Sequence, residues 1–226
     1  MAKSQEQVYE LPYKLACEKL ASMDIKQQCL NSGVQYADPH KVIVEYLNQS
    51  YVITIPSMEI SLSDSLHPCE GQSPEAISRG QGGEEEIPLR EKILILHYLT
   101  SAKGTPTSNR LTDFRRLPGG ASYLSPFSQR ALMPLSRRFG KEPELLIDAA
   151  KKLGGYKAAY GDVAVSIKAF PRVTITIVLW RGDSEFAPSV NIVFDSTISD
   201  YVSTEDACVL CETIARKLIN FSKGRS

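Results

Sequence analysis

The chain predicts an α+β fold, an antiparallel sheet of hairpins packed against several helices, and three observations carry that prediction. Short runs of alternating hydrophobicity recur in pairs separated by turn residues. The connection between the best pair, 173–180 and 190–195, is too short for a parallel crossover, which needs a dozen residues or more. Helical patterns are interspersed between these runs rather than alternating strictly with them.

The elements follow in order. Residues 5–23 read as an amphipathic helix with Val8, Leu11, Leu15 and Leu20 near one face. Pro12 is tolerated in a first turn, which argues that this helix starts later than its pattern suggests. "KVIVEYLNQSYVITI" holds two β-rich runs about Asn48-Gln49-Ser50, a hairpin by composition. Residues 65–86 are rich in Ser, Gly, Pro and Glu without an apolar period, which predicts an exposed loop or linker. The expected organisation is therefore an N-terminal helix and hairpin over 1–64, a linker over 65–86, and a main α+β domain over 87–226.

"EKILILHYL" is apolar nearly all round, so its helix is expected to be buried on several sides. Glu84, Glu85 and Glu86 suit the positive end of its dipole, Pro88 its first turn, and Lys103-Gly104 its close. Shorter helices are predicted over 128–139 and 143–153, the second stopped by Gly154-Gly155. In the final helix Ser203 caps the start, and Ala207, Leu210, Cys211, Ile214, Leu218 and Phe221 mark the buried stripe.

Charge excludes several functions. Lys plus Arg and Asp plus Glu are both 26, so no global field draws the protein to nucleic acid or to an anionic membrane. No apolar run approaches the roughly 20 residues of a membrane span. The first residues contain no apolar core of a secretory signal, and the five cysteines are scattered, so a cytoplasmic protein with reduced thiols is expected.

Cys208 and Cys211 spell CxxC. They fall on the buried stripe of a helix, however, and a zinc site would need two more donors, for which only His67 and Cys69 offer themselves. Small core residues are the preferred reading. His97 lies in the buried helix and is read as satisfied by a buried acceptor, with an axial-ligand role as the alternative. No Walker A or dinucleotide fingerprint is present.

Between Arg110 and Lys141 seven cations face one acid, Asp113. Within that segment Arg115 and Arg116 precede Pro118-Gly119-Gly120, where backbone is free to approach a ligand, and Tyr123 and Phe127 offer apolar cover. A helix start near Ser128 would add N–H donors. The competing reading is a solvated basic face paired with Glu84 to Glu86. In "LWRGDSEFAPSVNIVFD", Asp183, Glu185 and Asp195 are candidates for a shared divalent cation or an acid/base pair. A hairpin turn explains the same residues without chemistry.

"ILILHYL", "FRRLPGG", "LGG", the W-x-G-D-x-E-F-x-P…F-D run and "STEDACVLC" occur in an order that resembles a family of unknown function from anaerobic bacteria and archaea. Its members are often fused to, or encoded with, iron–sulfur cluster modules of the type found in corrinoid methyl-transfer proteins. The resemblance covers about residues 84–221 and implies metabolism of corrinoids, other tetrapyrroles or one-carbon units. This chain lacks the cysteine-rich module, and no catalytic residue is carried over.

The expected function is thus a non-catalytic binding or accessory protein for an anionic, partly planar cofactor, a corrinoid or other tetrapyrrole. The residues assigned to it are His97, Arg115, Arg116, Gly119, Gly120, Tyr123, Trp180, Asp183, Glu185 and Phe186. No catalytic or metal-ligating residue is assigned. The alternatives are a metal-assisted enzyme using Asp183, Glu185 and Asp195, and a docking module for iron–sulfur or methyl-transfer proteins.

Overall fold

The computed structural model describes residues 2–63 and 87–224; the expected linker, His67, Cys69 and Glu84 to Glu86 lie outside them. Two antiparallel sheets and their helices form an α+β fold around one continuous apolar core.

Helix α1 (Ala2–Ala21) carries Pro12 in its interior rather than in its first turn. Pro12 is on the solvent side, where the carbonyl it leaves unpaired faces water. The expected apolar face is also corrected. Ala16 and Leu20 are buried, whereas Val8, Leu11 and Leu15 are 69%, 64% and 55% exposed. Tyr13 turns the helix inward, since its hydroxyl donates to the Met58 carbonyl at 3.0 Å. Helix α2 (Ile25–Ser32) follows, capped by Asp24 and closed by Gly33 in the left-handed region.

The expected N-terminal hairpin is the centre of a four-stranded meander of β1 (Gln35–Asp38), β2 (Lys41–Tyr46), β3 (Gln49–Thr54) and β4 (Glu59–Leu62). Its turn is Leu47-Asn48, both with positive φ, and not Asn48-Gln49-Ser50. Pairing Val42 with Ile53 and Val44 with Tyr51 buries all four on one face, and that register leaves two residues for the turn.

Helix α3 (Leu89–Ser101) is buried on several sides, against α1, α2 and α7 (Thr204–Lys223). The helix expected at Ser128 begins eight residues earlier. Helix α4 (Gly120–Phe127) runs through a π turn at Ser128–Leu132 into α5 (Met133–Phe139). Pro134 has no N–H for the Arg130 carbonyl, and the wider turn re-routes the ladder, with Met133 N–H bonding Ser128 O. The Ser128 N–H is spent within the helix and is closed to a ligand.

The second sheet contains β5 (Leu111–Asp113), β6 (Tyr156–Ala158), β7 (Val163–Phe170), β8 (Val173–Trp180) and β9 (Ser189–Asp195), in the order β5-β9-β8-β7-β6. β8 and β9 pair antiparallel with Trp180 opposite Ser189, so the connection is residues 181–188. Ile167, Ile175, Ile177, Ile192 and Phe194 are buried in the core between this sheet and helices that include α5 and α6 (Glu144–Lys151). No helix among the described residues is long and apolar enough to cross a membrane.

Candidate binding cleft

Loop 181–188 is built by its own carboxylate. Asp183 accepts the N–H groups of Phe186 (2.7 Å) and Glu185 (2.8 Å), and its own N–H donates to the Phe186 carbonyl at 2.9 Å. Those backbone N–H bonds, Phe186 first and Glu185 second, hold the Asp183 carboxyl below its ordinary value. Gly182 is required beside it, because a Cβ there would lie 2.7 Å from Pro188 Cδ. The turn leaves Phe186 69% exposed at its tip.

The loop is docked against the end of α5. Ser136 Oγ donates to the Pro188 carbonyl at 2.7 Å, and a Cβ on Gly140 would meet Pro188 Cγ at 2.5 Å. Arg181 is fixed twice. Its N–H donates to Asp162 at 2.7 Å and its guanidinium to Glu144 at 2.8 Å. Between loop and helix end lies a cleft of about 530 Å³, with Gly140, Lys141 and Pro143 on one wall and Arg181, Asp183, Glu185 and Phe186 on the other. That volume lies within the range of small-molecule sites.

The loop therefore faces the far end of the basic segment, at Gly140 and Lys141, and not its beginning. Of the predicted residues, Asp183, Glu185 and Phe186 line the cleft; Trp180, 41% exposed at the end of β8, precedes the lining residue Arg181 in the chain and does not itself line the cleft. His97, Arg115, Arg116, Gly119, Gly120 and Tyr123 do not line it. His97 Nδ1 lies 2.9 Å from Asp206, which also accepts from Ser203 at the start of α7. Arg115 and Arg116 end a short 3₁₀ turn, with Arg116 3.6 Å from Asp113. Gly120 is glycine because the Phe114 carbonyl fills the place of its Cβ, and the Gly119 Cβ position is open. Tyr123 is exposed on α4.

The structure does not bring the three carboxylates together. Asp195 stands at the opposite end of β9 from the loop, about 20 Å away at about 3.4 Å per residue. Its oxygens are also occupied: Ser108 donates N–H and hydroxyl, Asn109 its N–H, and Thr197 N–H and hydroxyl, at 2.7–3.1 Å. Burial raises the Asp195 carboxyl, but the bonds from Thr197 and Ser108 outweigh it and bring it down to about 2. No group of three or more His, Cys, Asp or Glu among the described residues is placed to hold a metal ion. Cys208 and Cys211 are free thiols buried in α7, and burial pushes both up.

Residues 24–217 match the profile of a family described as a domain of unknown function, DUF3786. The chain belongs to that family. The span of the DUF3786 domain begins at the Asp24 cap of α2, so it leaves out α1 and includes both walls of the cleft. No curated protein and no solved structure matches the chain.

Sequence reasoning missed Gly140, Pro143 and Arg181 as cleft residues. The excess of cations pointed to the right segment. Which of its ends meets the loop depends on how α5 docks on β9, and local pattern does not encode that.

Proposed function

We propose that this member of the DUF3786 family is a non-catalytic binding protein, and that its ligand carries acidic groups on a partly planar body. A corrinoid or another tetrapyrrole is the ligand class the reading favours. The observation that carries it is the cleft itself. Lys141, which makes no ion pair among the described residues, faces an exposed Phe186 across a space of about 530 Å³. An ammonium free to meet a carboxylate or phosphate stands beside Phe186, Pro143 and Pro188, which offer flat apolar surface. Lys141 and Arg181 stand in the wall with Asp183 and Glu185, so the cations there offset the two carboxylates.

Trp180 supplies the test. It is the chain's single tryptophan and directly precedes the cleft residue Arg181, close enough for its fluorescence to report a chromophore bound there. Loading with a corrinoid under anaerobic conditions is expected to quench Trp180 and to carry visible absorbance through gel filtration. Lys141→Ala combined with Phe186→Ala is expected to weaken binding by about 100-fold. Retention of no tetrapyrrole at micromolar concentration would overturn the reading. A docking module for an iron–sulfur or methyl-transfer protein is the second reading, favoured by the protruding Phe186.

A further inference from the structure

A second cavity lies where the N-terminal meander meets the last helices. Its volume is about 330 Å³, and it shares no lining residue with the cleft. The polar groups in its wall are Gln49 at the start of β3, Lys152 at the end of α6, and Lys217 and Asn220 on α7. Its apolar surface comes from Leu47, Leu153 and Phe221. No carboxylate lines it.

The neighbours of these groups bias them toward donation. The Gln49 carbonyl oxygen already accepts the Tyr51 hydroxyl at 3.0 Å, which leaves its NH₂ to donate. Lys152 is held over the Phe221 ring, 5.3 Å from the centroid. Lys217 is anchored 3.2 Å from the buried Glu91, and an ammonium has three donors, so others remain. The turn that supplies Leu47 is set in place by close packing, since a Cβ on Gly154 would lie 2.7 Å from Asn48 Oδ1. The result is a cavity of donors with an apolar floor, assembled from three separate elements.

We infer that this seam cavity is a binding site for a small phosphate monoester, with Lys152, Lys217, Gln49 and Asn220 on the phosphate and Leu47, Leu153 and Phe221 against its organic group. A phosphate monoester brings three acceptor oxygens and a charge of about −1.5 to −2, and four donor side chains, with the Lys217 charge shared with Glu91, suit three oxygens better than the two of a carboxylate. A volume near 330 Å³ admits a compact organic phosphate. Because the site joins the β2–β3 turn to α6 and α7, its ligand bridges the meander and the C-terminal helices.

Phenyl phosphate, inorganic phosphate and benzoate are the probes, and the side-chain NH₂ signals of Gln49 and Asn220 in ¹H–¹⁵N spectra are the readout. Phenyl phosphate is expected to move both signals and to bind more tightly than either other probe. Lys152→Gln, a change at an exposed position, is expected to weaken it by about tenfold. Lys141→Gln, in the cleft, is expected to leave it unchanged, which separates this site from the proposed cofactor site. The inference is overturned if neither signal moves at about 10 mM phenyl phosphate, a concentration that detects even very weak binding. Shifts indifferent to Lys152→Gln, or benzoate binding as tightly as phenyl phosphate, would overturn it equally.

Discussion

The β8–β9 hairpin carries an aspartate at each end, and the two ends behave differently. At one, Asp195 is ringed by donors from Ser108, Asn109 and Thr197, which ties β9 to the strand-entry segment before β5. At the other, Asp183 binds only its own loop, and the groups around it, Glu185, Phe186 and Lys141, face solvent. One end spends its polar groups on tying separate segments together, and the other spends Asp183 on its own loop and leaves Glu185 and Lys141 exposed. A carboxylate that already accepts five hydrogen bonds from its own fold is a structural part, however suggestive its place after a strand.

The largest expected effect follows from that contrast. Asp195→Ala strands donors from three residues and is expected to destabilise the protein by about 2–3 kcal/mol in urea unfolding. A loss below that of an ordinary surface change, about 0.5 kcal/mol, would erase the difference between the two ends. Next, Gly182→Ala drives a Cβ into Pro188, and a cost of about 1–3 kcal/mol, with altered Trp180 fluorescence, is expected.

The pH dependence separates the ends further. The folded Asp195 carboxyl lies at about 2, below its ordinary 3.8. Its stabilising contribution is therefore complete well above pH 4 and is lost as pH falls from about 4 toward 2. Urea unfolding of Asp195→Asn is expected to show a flatter acid limb than that of the native protein; superimposable limbs would place the acid sensitivity elsewhere. The smallest effect is expected at the open end. Glu185→Gln and Phe186→Ala should each leave stability within about 0.5 kcal/mol, because neither side chain is buried. A larger loss in either would mean that the loop is a packing element after all.

Some of this is legible in the residues alone. Alternation in 173–180 and 190–195, with nine residues between, is enough to pair β8 with β9. The stripe of Ala207, Leu210, Cys211, Ile214 and Leu218 is enough to bury one side of α7 and to make its CxxC part of the core. The face of α1 is not legible, because Val8, Leu11 and Leu15 satisfy the same periodicity as Ala16 and Leu20. The partner on α3 and the Tyr13–Met58 bond choose between them. β1 and β4 are four residues each, too short for their patterns to stand out.

The sequence by itself determined the α+β class, the hairpin at 173–195, the buried helix at 89–101 and the concentration of cations between 110 and 141. Those depend on period, turn chemistry and local charge, all of which act over a few residues. Only the tertiary structure decided that Lys141, and not Arg115 or Arg116, meets the Phe186 loop, and that Asp195 stands a strand's length from Asp183. It alone brought Lys152, Gln49 and Asn220 to one cavity. These outcomes depend on which helix end docks on which strand end, and that is settled by packing between residues far apart in the chain.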